Sequence, residues 1–509
     1  MAGPWFVDPD GGATTNNGLS VDTPWKLIPG QTGASSQTGY GVVAGDVINI
    51  KNGTTSAAGV VAFPANNLTY RGYGLAKNGL ELILPDPLDP TRTIKTYPVR
   101  ESGVHEGMWR LVDPTITGSG VGFTTRSGCI LEDAYIECPN SASPISVGNS
   151  ASTAVGATIR RCYIKTSASV GIEVNSNQIV IEDTRLENIA DDALIVQATV
   201  ANGYRAGYKD RVERICIIEP GLDTVGATGD AIQLTATTDR YESATTILDL
   251  YVRKTDATKQ VLTFQDVLGG LFLSRYHFDS NIASTAQILC TGLRGRATIQ
   301  KGYCFGGQSG NGFVRYAGTQ GIAATGVLIV QHNIVDSALH NGLFYWGGST
   351  DAATIDGSVI IRNNYIKGTN IQNLSFSATA SCHPGSLITL GAGCSWLVEN
   401  NIFDGDGAPI VRLPSGGAND ARWVFRNNAV KAGGKYMIGT TEYANIAAFQ
   451  AAHNAATGNF ESAFDLTSSY RINPGADLIA AGIHSGYRTD FLGTQLWNPP
   501  SVGPLEYVR

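Results

Sequence analysis

Apolar residues along this chain come in short beats separated by polar corners. Residues 179–234 run IVIEDTRLENIADDALIVQ and, after a gap, RICIIEPGLDTVGATGDAIQL. Both pieces follow one plan. A short apolar strand meets a polar corner, a second apolar beat follows (Leu186, then Leu222), and a further strand opens Asp-Ala-Leu or Asp-Ala-Ile. The plan returns from Ile247, Leu271, Thr298 and Leu328, and more weakly from Val359, Trp396 and Trp423. Successive copies begin roughly 20–37 residues apart, a spacing typical of stacked repeats. The beats are rich in Val, Ile and Leu, carry no helical stripe, and turn at Gly and Asn. Strands this short bury their inner face only by stacking on the next copy. Hairpin signals between paired strands are scarce, so a parallel β-helix fits better than a propeller.

The repeat places Asn333, Asn364, Asn401 and Asn428 at one position, two residues past the end of the first strand. This predicts an asparagine ladder at a tight bend, with Asn chosen because it accepts left-handed backbone and pairs by its amide. Residues 1–60 predict an N-terminal cap or attachment segment, 61–435 the β-helix, and 436–509 a C-terminal capping segment with one helix. The stretch TEYANIAAFQAAHNAA spaces Tyr443, Ile446, Phe449 and Ala452 in threes and predicts that helix, from just after Thr441 to before Gly458. The insert from Ser375 lengthens one coil and is expected as a groove-side loop.

Composition narrows the function classes. The net charge is −7 without a basic run, which argues against a nucleic-acid partner. No apolar run approaches 18 residues, so no membrane span is expected. The eight cysteines form no CxxC pair, which argues against a zinc cage. Cys162, Cys216 and Cys304 read as small core residues, and a disulfide framework would be unusual at this size. Asp8 and Asp10 in the DPDG turn offer oxygen ligands for calcium or, alternatively, only a turn; no other cofactor is expected.

Three blocks carry a resemblance: the N-terminal FVDPDGGATTNNGLSVDTPW, the repeat core with its NN corners, and the C-terminal run from EYANIAAFQAAHN through INPGADLIAAG and TDFLG to PPSVGPLEY. The chain resembles the right-handed parallel β-helix proteins of the pectate-lyase-like superfamily. That resemblance implies an all-β fold, a right-handed single-stranded solenoid. It implies a protein of the polysaccharide lyase, glycoside hydrolase, epimerase or phage tailspike kinds. Tailspikes of this type are usually homotrimers that bind, and often cleave, bacterial surface polysaccharide alongside other phage tail proteins. The opening MAGPWFVDPDGG lacks a secretory signal pattern, so the expectation is either a signal already removed or another export route, for instance assembly on a virion.

Register turns the repeat into a map of candidate chemistry. Aligning Ile172, Leu194, Ile232, Leu262, Leu289, Val314 and Phe344 as inward residues puts Val170, Asp192, Asp230, Gln260, Gln287, Gly312 and Gly342 two positions earlier. Asp192 and Asp230 then stand in neighbouring coils about 5 Å apart, with Asp191 beside them and Glu187 in the preceding loop. Paired carboxylates suit acid/base work in a glycosidase, with Asp192, Asp230 and Asp191 as the catalytic candidates. NIADDALIV also resembles the Asp-Asp segment of β-helix polygalacturonase-type hydrolases, without their flanking Gly-His-Gly. The alternative is a row of Asp residues capping turn amides.

A second, outward column holds Glu173, Ile195, Gln233, Thr263, Cys290, Arg315 and Tyr345, of which Glu173, Gln233, Arg315 and Tyr345 are candidate sugar contacts. A third follows the first strand: Arg161, Asp183, Glu219, Asp249, Arg275, Lys301 and His332. A lyase acting on uronic acids needs a base and a cation, which Arg275, His277, Lys301, Tyr303 and His332 offer; the alternative is a ladder of surface charges. His340 and His383 lie in loops with no assigned role. Three functions stay open: a phage polysaccharide hydrolase, a polysaccharide lyase, and a non-catalytic adhesin or virion protein.

Overall fold

The computed structural model describes residues 3–56, 61–74, 81–86, 89–98, 108–112, 118–138, 141–148, 155–165, 170–175, 178–198, 210–218, 229–236, 244–254, 260–265, 269–280, 287–305, 313–317, 324–336, 344–345, 353–368, 374–375, 388–390, 393–405, 411–413, 422–438, 441–467, 470–484, 489–492, 494–496 and 500–505. Glu219, Gly312, Gly342, His340, His383 and most of the insert after Ser375 lie outside the described residues. The fold is the expected right-handed parallel β-helix. Strands of successive coils pair in parallel, and each coil contributes to three faces. The chain divides into two compact units, residues 1–85 with 91–253, and 86–90 with 254–509.

In the N-terminal unit the first face stacks Ile130–Glu132, Thr158–Arg160 and the first halves of Val180–Glu187, Arg211–Ile218 and Ala244–Lys254. A tight corner follows, and Ala134–Glu137, Tyr163–Lys165 and the second halves of the longer strands make the second face. The third face stacks Gly118–Thr125, Ser141–Val147, Ile172–Val174, Leu194–Ala198 and Ile232–Ala236. Inward residues such as Ile159, Leu186, Ile172, Leu194 and Ile232 are buried, which is why each beat is apolar. The N-terminal segment pairs Pro4–Val7 with Val47–Lys51, and stacks Trp5 on Trp25 at 4.6 Å.

The C-terminal unit repeats this with Arg296–Gln300, Val327–Gln331, Ser358–Arg362, Ser395–Glu399 and Trp423–Arg426 on its first face. Tyr303–Phe305, Ile334–Asp336, Tyr365–Gly368, Ile402–Gly405 and Ala429–Lys431 make the second. Leu262–Gln265, Ile288–Thr291, Val314–Ala317 and Phe344–Tyr345 make the third. The asparagine ladder is present and has five rungs. Asn333, Asn364, Asn401 and Asn428 each give their backbone N–H and side-chain amide to the Oδ1 of the next rung, at 2.9–3.1 Å, ending on Asn459. The left-handed residues are not the rungs but their predecessors, Asn363, Asn400 and Asn427, with φ near +50°. The rungs are chosen for buried amide pairing, and the preceding residue takes the bend.

Both ends of the ladder are closed. Tyr276 Oη and the Gly302 N–H donate to Asn333 Oδ1 at 2.8 and 3.0 Å. Only glycine fits at 302, because a Cβ there would enter the Tyr276 ring. At the other end Gln450 Oε1 accepts from Asn459 N and Nδ2, and its own amide donates to Asn459 O at 2.9 Å. Gln450 sits on the expected helix, which spans Ile446–Ala452 and starts from an Asn445 cap. It begins later than predicted because Thr441–Tyr443 forms an antiparallel strand with Tyr436–Ile438.

The C-terminal segment packs along the second face rather than only beyond the last coil. Ile472, Leu478, Phe491, Val502 and Leu505 cover Tyr303, Ile334, Tyr365, Ile402 and Ala429. Asn400 at the corner pins it, donating to Ile483 O and accepting from Ile483 N at 2.7 and 3.0 Å.

Candidate active site

The third face of the N-terminal unit brings five of the predicted residues together. Leu194 pairs with Ile232, so Asp192 and Asp230 occupy one register position in adjacent coils, as the spacing predicts. Asp192 Oδ1 accepts the Asp230 backbone N–H, and both side chains are buried, at 4% and 3% exposure. Asp192 therefore already serves as a backbone cap, while Asp191 beside it is half-buried and nearer to solvent.

Glu173, Ile195 and Gln233 form the outward column next to this corner, in direct register. Glu173 and Gln233 are half-buried. Glu173 is held from both sides: Ser143 Oγ donates to Oε2 at 3.3 Å and Asn175 Nδ2 to Oε1 at 3.1 Å. Neither partner was singled out by the repeat. Ser143 lies two positions before the inward Ile145, so it belongs to the same column as Asp192 and Asp230, read N-terminally. Extending that column by one coil beyond Val170 would have found it.

The remaining candidates lie in the C-terminal unit on different sides of their coils. Arg315 and Tyr345 share the outward column of its third face, Arg315 half-buried and the Tyr345 side chain outside the described set. Arg275 is an exposed left-handed corner residue, φ +55°. His277 sits past that corner on the second face, paired with Tyr303 and 5.2 Å from its ring. Burial pushes the His277 imidazole down to about 4. His332 is also buried, and burial, then Lys301 and Arg362, push it down to about 3.

Two register assignments slip. Ile288, not Leu289, is the inward partner of Leu262 and Val314, and Cys290 points inward with it. Leu289 takes the outward place given to Cys290, and Gln287 moves one position toward Val261. The run Gln-Ile-Leu-Cys is apolar at both parities, so period-two reading cannot choose between them. In the corner column the place of Glu219 belongs to Arg214, directly between Asp183 and Asp249. The strand there runs unbroken through the corner, which hid it.

Asp210 was not foreseen. It is 2% exposed, Oδ1 accepts from Ile179 N at 3.0 Å, and burial raises its carboxyl to about 7. Asp8 caps its own turn through Asp10 N and Gly11 N and receives Lys51 Nζ at 2.7 Å. Burial opposes its charge, but Lys51 and the two amides outweigh it and hold the carboxyl below its usual range. Those contacts occupy the oxygens a calcium ion would use. Among the described residues no group of three or more His, Cys, Asp or Glu is placed around a metal. The described cysteines are all buried and unbridged.

No protein-family model matches the chain, and no curated protein matches it. Solved structures with a similar chain path include the complex of XylC with xylose, at 11% identity over 99% of this chain and 98% of that one, TM-score 0.44. Pectate lyase Pel9A aligns at 12% identity over 99% and 96%, TM-score 0.39. The tailspike protein gp49 of Pseudomonas phage LKA1 aligns at 12% over 82% and 84%, TM-score 0.33. Likeness at this level says nothing about chemistry, which has to come from the chain's own residues.

Proposed function

We propose that the protein hydrolyses glycosidic bonds of a bacterial surface polysaccharide on the third face of its N-terminal unit. The observation that carries this is the stacking of Asp192 on Asp230 beside the half-buried Asp191, at the edge of the column holding Glu173 and Gln233. Coils stack about 4.8 Å apart, and a carboxyl separation near 5 Å is the retaining geometry. On this reading Asp191 and Asp230, in adjacent coils, supply the nucleophile and the general acid, and Asp192, whose Oδ1 accepts the Asp230 backbone N–H, holds the corner between them. Glu173, braced by Ser143 and Asn175, and Gln233 bind hydroxyls of the flanking sugar. On this reading the protein serves as a tailspike or tail-fibre receptor-binding protein, a homotrimer carried on a virion.

The test is incubation with a panel of capsular and O-antigen polysaccharides, reading reducing ends and unsaturated-uronate absorbance together. Reducing ends without absorbance, lost in Asp191→Asn and Asp230→Asn, support hydrolysis. Absorbance rising with reducing ends moves the chemistry to a lyase using the His277 region. Binding without either signal leaves an adhesin.

A further inference from the structure

The second face of the C-terminal unit carries a residue that its fold does not explain. The outward column two positions past Ile334 reads, in register, Asp279, Phe305, Asp336, Lys367, Asp404 and Lys431. Five members are charged, as suits a solvent-facing column. Lys367 pairs with Asp336 and Lys431 with Asp404, both at 3.4 Å. Phe305 interrupts the series and leaves 49% of its surface exposed. Its ring lies nearly parallel to Tyr303, 6.1 Å between centroids and 8° between planes. Tyr303 is buried and braced in turn, 3.2 Å from the Tyr470 hydroxyl, which donates to Asp336. His277 meets the other side of Tyr303. The ring is thus braced by its neighbour along the strand and flanked by a carboxylate in the coil on either side.

We propose that Phe305 is the stacking platform of a saccharide subsite, taking a neutral or amino pyranose, with Asp279 receiving its hydroxyl or ammonium hydrogens. A pyranose presents a C–H face that suits the negative face of an aromatic ring, and an ammonium group there gains further. The Asp279 carboxylate disfavours uronates by repulsion. A brace that fixes the ring beforehand lowers the cost of ordering it on binding. This rests on reading the chain as a polysaccharide-binding protein, yet it concerns a face separate from the catalytic candidates, so the two fail separately.

The test is saturation-transfer NMR on the full chain with three probes: maltohexaose, a chitosan hexamer and hexagalacturonate. The expected result is transfer to the first two and little to the third. Phe305→Ala should weaken that binding at least about tenfold, Phe305→Trp should restore it, and Asp279→Asn should weaken the chitosan hexamer most. Hexagalacturonate binding as well as the others, binding unchanged in Phe305→Ala, or no transfer from any probe up to about 20 mM would overturn the subsite. Phe305-dependent binding in a protein that releases no reducing ends would keep the subsite and sink the hydrolase.

Discussion

The two units make the same tight corner by opposite means. In the N-terminal unit the left-handed positions are Asp133, Arg161, Asp183, Arg214 and Asp249, alternating in sign from coil to coil. Arg161 bonds Asp133 at 2.7 Å, and Arg214 forks onto Asp183 at 2.5 and 3.0 Å. The preceding residues Glu132 and Glu213 add bonds to Arg161 and Arg214. In the C-terminal unit the corresponding positions run Arg275, Lys301 and His332 and then, in its later coils, Asn363, Asn400 and Asn427, where the order comes from the buried amide ladder one residue later. Left-handed backbone costs an arginine on the order of 1 kcal/mol, and asparagine less. The first unit offsets that cost with ion pairs whose carboxylates are largely buried, the later coils of the second by choosing a tolerant residue and satisfying a row of interior amides. Partly exposed guanidinium groups leave these pairs open to screening by salt, whereas an interrupted buried amide row leaves donors without acceptors.

The largest expected effect follows from that asymmetry. Asn401→Leu removes the middle rung, leaving the Asn364 N–H without its acceptor, its amide with Val330 O alone, and Asn428 Oδ1 with only the backbone N–H of residue 401. The cost should be about 3–5 kcal/mol, concentrated in neighbouring coils. Because solenoid coils unfold semi-independently, hydrogen exchange at the backbone amides of Asn333, Asn364 and position 401 is the proper measurement. Protection loss of less than tenfold would mean the ladder decorates the corner rather than holding it.

A second probe uses Asp210, whose folded carboxyl is raised to about 7 from the usual 3.8. A carboxyl raised in the folded state stabilises fully below about 3.8, and that contribution is lost as pH rises through about 7. Urea stability of the N-terminal unit should therefore fall between pH 4 and pH 7, by a few kcal/mol at most, and Asp210→Asn should flatten the dependence. A slope unchanged in Asp210→Asn would put the proton on another group.

How much of this the sequence carried depends on what repeats. Coil period, apolar beats and the four asparagines were legible because every coil meets the same burial demand. Asn459 was not, because the helix at Ile446–Ala452 interrupts the spacing before it. The Asp192–Asp230 stacking followed from register alone. Their burial, and the capping of Asp230 N–H by Asp192, did not, since burial depends on what covers a corner. Register also failed where both parities were apolar, at Ile288 and Leu289. The second-face packing of Ile472, Leu478 and Phe491 is a contact between distant segments, and no local pattern announces it.

A smaller effect separates ion pairing from backbone preference. Arg214→Ala loses the fork to Asp183 and the bond to Glu213, and leaves an alanine in the left-handed region. The expected cost is about 2–3 kcal/mol, because the buried Asp183 carboxylate loses its guanidinium, read as local hydrogen exchange in the coils of Asp183 and Arg214. About half should vanish in 1 M salt, because Arg214 is partly exposed, at 19%. Equal losses at low and high salt would assign the stabilisation to packing of the guanidinium stem.

The smallest effect is also the most diagnostic of the amide corner. Asn427 occupies the left-handed position at φ +50°, and its side chain makes one long bond, to Ala481 O at 3.3 Å. Glycine adopts that backbone freely, so Asn427→Gly should change stability by only a few tenths of a kcal/mol. Asn428→Gly, one residue on, removes a rung fully buried against Val398 O, Asn459 and Asn401, and should cost several kcal/mol. Two substitutions of one residue type at adjacent positions thus share their change in chain entropy and differ in what they strand. If hydrogen exchange at Asn401 responds equally to both, bend and ladder act as one element, and the division of labour between the two columns fails.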